Sequence, residues 1–451
     1  MIRIANGQGF WGDSVDAPVR LVNEGPLDYL TLDYLAEVTM SIMQKLKRRD
    51  PDGKSGYATD FVDLIRRILP ALKGKGVRVV ANAGGVNPPA CLKAVASVLR
   101  EGGAAGTKVG MVMGDDILDR LDSILAEGVT LSSMDDGRPL SSIRDRVLAA
   151  NVYMSAFPIA AALDLGARIV LTGRGTDPGL VVGPLIHEFK WGREDWNLLA
   201  AGTVAGHIIE CGAQCTGGNF SRWWEVEGWD HLGYPIVEAE SDGSFVVTKH
   251  EGTGGLVTVD TIAEQLVYEM GNPAAYMTPD VTADFTSVHL NQQGADRVAV
   301  TGIAGRPATD TYKVSISYLS GYSAVGQLTV SGPQALEKAR VAAAALWGRL
   351  KRAGISYDET HTEFVGAGAC HRRIGRSSTP PVEVVMRVGV KDRDQKKVDR
   401  FGKEIAPLVT SGPPGVTGFA GGRPRATEVI AFWPALIPKE LVKADVRVEE
   451  V

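Results

Sequence analysis

The sequence has few cysteines, no long apolar run and no surplus of positive charge. Only 4 of its 451 residues are cysteine, too few for a disulfide scaffold. No stretch approaches the roughly 18 apolar residues that a membrane-crossing helix needs. The best, AFPIAAAL at 156–163, is cut by Asp164. Lys and Arg number 48 against 53 Asp and Glu, a formal net charge of −5. That balance argues against a nucleic-acid protein held by bulk charge. Neither a nucleic-acid nor a membrane partner is expected. The N-terminus, MIRIANGQGFWGDS, has no basic region followed by an apolar stretch. No secretory leader is expected, and a cytoplasmic location follows.

Glycine is in excess, with 53 residues, about 12% against a usual ~7%. Hydrophobic residues make up 44% and charged residues 22%, as in ordinary globular proteins. From residue 1 to about 230, short apolar runs alternate with helical patterns. The expected strands are 2–5, 29–35, 77–85, 108–114 and 167–175. Between them lie amphipathic stretches such as 60–76, where Phe61, Leu64, Ile65, Ile68 and Leu69 recur at helical spacing before Gly74 and Gly76. Residues 150–166 also read as helical. Continuous apolar strands alternating with helices predict an α/β domain, a mostly parallel sheet with helices on both faces. A hairpin is expected around Asp242-Gly243, then a helix over 257–271. Strands at 298–305, 311–322 and 324–332, a helix at 333–353, a strand at 382–390, a helix at about 394–408 and a strand at 427–435 suggest a smaller α+β, ferredoxin-like C-terminal domain. The glycine-rich stretch 411–425 is expected to be a loop within it. The expected division is 1–285, carrying the active site, and 286–451.

In open α/β sheets the ligand lies beyond the carboxyl ends of the strands. Those ends carry Asn6, Asp33, Asn82 with Gly84 and Gly85, Asp115-Asp116, and Arg174. A parallel core does not require such polar residues at one crest, so a shared pocket is expected there. Asn87 follows closely and joins the candidate binding residues. Asp116 and Asp177 also fit helix starts. The string NGQGFWGDS (6–14) matches G-x-G-x-x-G, with Asp33 where a ribose-binding acid would stand. Against NAD(P) or FAD stand the bulk of Phe10 and Trp11, the charge of Asp13, and a short helix with Pro18. Another ligand loop is favoured, with Asp13 as a contact.

The segment HIIECGAQCTGGNFSRWWE (207–225) places His207, Cys211 and Cys215 four apart, on one face of a helix. Three such ligands suit zinc, but no fourth is evident, and buried thiols are the commoner case. Zinc is therefore not favoured. Cys215 is a candidate nucleophile, with His207 or His250 as base. Gly217, Gly218 and Asn219, followed by Arg222, are candidate donors for an oxyanion or carboxylate. Lys249 and His250 precede the loop EGTGG, with Thr253, and His250 is the favoured acid or base. Arg174, Arg222 or Lys249 would hold an anion. The basic stretch with Arg372, Arg373, Arg376, Lys396 and Lys397 is interleaved with Asp392, Asp394 and Asp399 and reads as a solvated face.

Together these strings carry a resemblance. IANGQGFWGDS (4–14), DYLTLDYLAEVTM (28–40), VVANAGGVNP (79–88), 156–189, 198–226, 246–276, 310–318 and 404–438 resemble the acyclic terpene utilisation AtuA family nearly end to end. The family's namesake belongs to the breakdown of citronellol and geraniol through CoA thioesters, with carboxylase and hydratase steps, and the resemblance does not require a terpene substrate. It supplies no catalytic residues, and it lowers the dinucleotide reading. The expectation is an enzyme of acyclic terpene or branched-chain acid catabolism, acting on a carboxylate or acyl-CoA by hydratase or lyase chemistry. Any CoA would be part of the substrate, and a homo-oligomer is expected. The alternatives are an NAD(P)-dependent oxidoreductase and a non-catalytic partner subunit of an acyl-CoA carboxylase-type complex.

Overall fold

The apolar runs of the first half become five parallel strands, Ile2–Asn6, Tyr29–Leu32, Arg78–Ala81, Ile169–Thr172 and Lys108–Met113, neighbours in that order. A computed structural model gives this fold and describes residues 1–371, 379–418 and 421–451. Side chains of a strand alternate between its faces. Leu30, Leu32, Val79, Ala81, Ile169 and Leu171 accordingly pack on one side, under the helices Ala17–Glu24, Glu37–Arg49, Thr59–Lys75 and Pro88–Glu101. Tyr29, Val80 and Val170 pack on the other, under Phe157–Asp164, Gly179–Phe189, Trp196–Ile209 and Val259–Leu266. Two buried faces explain strands with little polar alternation. The helix Thr59–Lys75 buries the predicted Phe61, Leu64, Ile65, Ile68 and Leu69, and ends at Gly76, whose φ of 77° suits a left-handed cap.

The sheet is larger and less parallel than expected. Ile236–Ala239 and Phe245–Thr248 form the expected hairpin, but it adds to Ile2–Asn6 in antiparallel register, Ala5 opposite Ile236. Arg297–Thr301 and His289–Gly294 continue outward, and Asp445–Glu450 closes the far edge beside Lys108–Met113. Ten strands thus pair through four parallel and five antiparallel contacts. The mostly parallel expectation holds only for the core. Residues 150–166 are also not one helix: Val147–Val152 is a strand, and the helix begins at Phe157.

Met1–Ser317 with Phe432–Val451 makes one compact unit, and Tyr318–Ala431 the other. The boundary expected near 285 coincides with neither limit, because Thr282–Asp284 pairs with Ala304–Arg306 and His289–Gly294 joins the large sheet. The chain passes between the units within the strands Thr311–Ser331 and Thr427–Pro438. The first replaces the two strands expected at 311–322 and 324–332.

In the smaller unit, Glu359–Val365, Glu383–Asp392 and residues 318–331 form an antiparallel sheet. The helices Ala335–Arg352 and Gln395–Ile405 bury Ala339, Leu346, Val398 and Phe401 with Val384, Met386 and Val388. Within the stretch expected as a loop, Val416–Thr417 is a short strand paired to residues 329–330. Arg372, Arg373 and Arg376, and two residues of that stretch, lie outside the described residues. Lys397 pairs with Asp392 at 3.0 Å, in keeping with a solvated charged face.

Candidate active site

The five parallel strands end at one edge of the sheet, and the polar residues read there as strand endings meet in space. Asp33 is buried after Tyr29–Leu32. Asn82, after Arg78–Ala81, donates from Nδ2 to Asp33 Oδ1 at 2.6 Å and accepts from the Tyr34 N–H at 2.7 Å. Asp115 accepts from the Arg174 N–H at 2.8 Å and from Asn151 Nδ2 at 2.9 Å. Burial, opposed by these bonds, pushes its carboxyl up to about 6. Arg174 is 2% exposed; its Nη1 donates to Asp177 and, at 3.2 Å, to the Leu35 carbonyl. Its guanidinium lies over the Tyr153 ring at 4.2 Å. Asn6 Nδ2 reaches the carbonyls of Ile209 at 2.9 Å and Glu210 at 2.7 Å, tying the first strand to the end of the helix Trp196–Ile209.

A cleft of about 670 Å³ opens on this edge, lined by Asp33, Arg174, Asp177, Glu37, Tyr153, Glu210, Cys211, Glu269, Tyr276 and Lys313 among others. Glu210 carries its electrostatics. Burial first, then the charges of Asp177 and Glu269, push its carboxyl up to about 7 against the opposing pull of His207. Its Oε1 lies 3.3 Å from His207 Nδ1, while its Oε2 is buried without a hydrogen-bond partner.

His207 stands behind it, with Nε2 3.1 Å from the Gln265 carbonyl, a contact that assigns the ring proton to Nε2. Gln265 Nε2 returns a bond to the His207 carbonyl at 3.2 Å. The imidazole meets the rings of Tyr276 and Phe285 edge-on at 5.4 and 5.2 Å. Burial would lower the His207 pKa, but the Glu210 carboxylate outweighs it and the shift is upward.

Burial and the Asp177 charge hold Asp33 well above the usual carboxylate range, against Arg174 and the Asn82 bond. Glu37 goes the other way: burial would raise it, but the Tyr153 hydroxyl, Arg174 and Lys313 together bring it below the ordinary value. Arg174 Nε and His207 Nδ1, like Glu210 Oε2, are buried polar atoms with no hydrogen-bond partner. Native proteins rarely leave such atoms unsatisfied; Arg174 and Glu210 line the cleft, and His207 lies behind Glu210.

The remaining expected residues lie elsewhere or serve the scaffold. His250 packs against Gly25, in a small pocket with Ala17, Leu21 and Tyr234, and is not in the cleft. Burial first, assisted by Lys75 and Arg3, lowers its pKa. Lys249 Nζ is held by Asp296 at 2.9 Å and the Thr253 carbonyl at 2.9 Å, and the Thr253 hydroxyl donates to the His250 carbonyl at 2.6 Å. Cys215 is fully buried in the core, and burial pushes its thiol far up, unsuited to nucleophilic attack. Cys211 is in the cleft, its thiol pushed up to about 12, first by burial.

Gly217, Gly218 and Asn219 form a packed turn in which the Gly218 N–H already donates to the Ala213 carbonyl at 2.9 Å. Arg222 is a half-buried cation paired with Glu225 at 2.9 Å and Asp260 at 2.5 Å. Gly84 and Gly85 lie in a buried turn, where a Cβ on Gly84 would meet the Thr172 carbonyl at 2.7 Å. Asn87 Nδ2 closes the 53–55 loop through the carbonyls of Gly53 and Ser55. Asp116 starts the next turn as expected, accepting from the Leu118 N–H at 3.1 Å, whereas Asp177 holds Arg174 instead of capping a helix.

The 6–14 loop is not a phosphate cradle. Several of its donors are taken: Gly7 N–H by Thr31, Gly9 N–H by Asp13 Oδ2 at 2.9 Å, and Ser14 N–H by Asp13 Oδ1 at 2.6 Å. Asp13 also accepts from the Tyr234 hydroxyl at 2.6 Å. A Cβ on Gly9 would strike the Cys211 backbone at 2.7 Å, so the loop packs on the turn that follows Glu210. Among the described residues, no group of three or more His, Cys, Asp or Glu is placed to hold a metal ion.

A family model described as acyclic terpene utilisation family protein AtuA matches residues 2–448. The chain belongs to this family. Membership implies a role in acyclic terpene utilisation. No curated protein and no solved structure matches the chain. In this AtuA-family chain the sequence pattern points to Asp33, Asn82, Arg174 and Asp177 but misses Glu210, Glu37, Tyr153, Tyr276 and Lys313. A signal for Glu210 exists: WNLLAAGTVAGHIIE is an apolar helix whose only ionisable residues, His207 and Glu210, stand three apart. No local pattern announces the others. Among the described residues, no helix is long and apolar enough to cross a membrane.

Proposed function

We propose that this AtuA-family protein is an enzyme that carries out acid–base chemistry on a branched carboxylate or acyl-CoA, of the hydratase or lyase type. One observation carries the reading: Arg174 Nε and Glu210 Oε2 are both unpartnered in the lining of a single cleft at the carboxyl edge of the sheet. Two carboxyls there have raised pKa values, one of them near neutrality, as a base and an acid working together require.

In a dehydration, Glu210 takes the proton next to the carbonyl as that C–H bond breaks and the C=C bond forms. The C–O bond breaks on the other carbon, and its oxygen takes a proton from Asp33 and leaves as water. Arg174 and Lys313 supply positive charge for the carboxylate or enolate oxygen. His207, pinned by Gln265, holds Glu210 and shares its proton.

The test is turnover of unsaturated branched acids and their CoA thioesters by the purified protein. Glu210→Gln is expected to lower the rate at least about 100-fold. Turnover unchanged in that variant would refute the assignment.

Apart from the short helix Leu408–Ser411 and the short strand Val416–Thr417, the smaller unit runs strand, helix, strand, strand, helix, strand, with 427–438 pairing to 311–331. That order supports a ferredoxin-like reading of this unit.

A further inference from the structure

The cleft is unusual in its charge and in its rim. Five carboxylates line it, from Asp33, Glu37, Asp177, Glu210 and Glu269, against two cations. Neither cation is free: Arg174 is bound to Asp177, and Lys313 lies 3.8 Å from Glu37. The same cleft is lined by four large apolar side chains that face solvent, Phe10 at 58%, Met134 at 56%, Met277 at 66% and Leu436 at 45% exposure. Exposed apolar residues gathered at one opening mark a binding surface, and two methionines let it adapt to a branched chain.

We propose that the cleft binds a free branched carboxylic acid head first, its hydrocarbon along this rim, in preference to the CoA thioester of the same acid. The carboxylate head completes Arg174, whose buried Nε lacks a partner, and leaves Glu210 Oε2 free to take the proton. A polyanionic CoA arm leaving the same opening would pass carboxylates with no unpaired cation in the lining to receive its phosphates. This rests on the acid–base reading of the cleft and selects one of its two substrate forms.

The experiment is isothermal titration of the full chain with citronellate, citronellyl-CoA and CoA. Citronellate is expected to bind at least about tenfold tighter than citronellyl-CoA. Phe10→Asp and Met277→Asp, both on exposed side chains, are expected to weaken citronellate about tenfold while leaving the ligand-free melting temperature unchanged. Tighter or equal binding of citronellyl-CoA overturns the proposal, as does unchanged citronellate affinity in both rim variants. If the thioester binds tighter and is turned over in a Glu210-dependent way, the free-acid inference falls and the acid–base site stands. If none of the three binds, both fall.

Discussion

Glu210 sits at the end of an apolar helix, its carboxyl pushed up to about 7 by burial and by neighbouring negative charge. In an unfolded chain such a group ionises near 4.3. A raised folded value means that its contribution to stability is complete below about pH 4 and is lost as pH rises through about 7. Glu210→Gln removes that loss. Urea unfolding of the variant should show its stability relative to the native chain rising between pH 5 and 8, by about 1–3 kcal/mol. A difference independent of pH would refute the buried-acid account. Arg174 works in the opposite sense, as the buried cation that holds Asp177 and offsets Asp33. Arg174→Ala should cost about 3–5 kcal/mol, again by urea unfolding, and a loss under 1 kcal/mol would contradict the burial described. The residues legible in the sequence were those that end a strand, because the edge of a parallel sheet follows from strand pattern alone. His250 also followed a strand, but partners remote in sequence, Gly25 above all, decide where its side chain goes.

The helix Trp196–Ile209 delivers His207 and Glu210, and its placement depends on close approach. A Cβ on Gly206 would lie 2.6 Å from the Cα of Pro178, directly beside Asp177. Gly206→Ala must push that backbone away, costing about 1–3 kcal/mol and displacing the Arg174 partner. Thermal unfolding checks the cost, which a variant as stable as the parent would contradict. On the opposite face, Ile68 is fully buried within the helix Thr59–Lys75. Ile68→Ala should cost about 2–5 kcal/mol without altering ligand binding in the cleft. At this scale the parallel strands and their amphipathic helices were legible, since both periods are local. The pairing of Ile236–Ala239 with Ile2–Asn6 was not, because register across more than 200 residues leaves no local mark. The strand Val147–Val152 was hidden in an alanine-rich stretch that also fits a helix.

At the scale of the whole molecule, the chain holds two compact units with separate apolar cores, one centred on the ten-stranded sheet and one within residues 324–408. Units with their own cores unfold on their own terms. Calorimetry should give a calorimetric enthalpy larger than the van't Hoff value, and equality of the two would contradict this. The glycine excess also finds its use at this scale, in close approaches such as Gly9 on Cys211 and Gly84 on Thr172 that bring the strand ends together. The central claim is that this edge holds a carboxyl poised for acid–base work near neutral pH. Infrared difference titration of the carboxyl band that Glu210→Gln removes tests it most directly. The account predicts a midpoint near 7, and a midpoint near the ordinary 4.3 would contradict it.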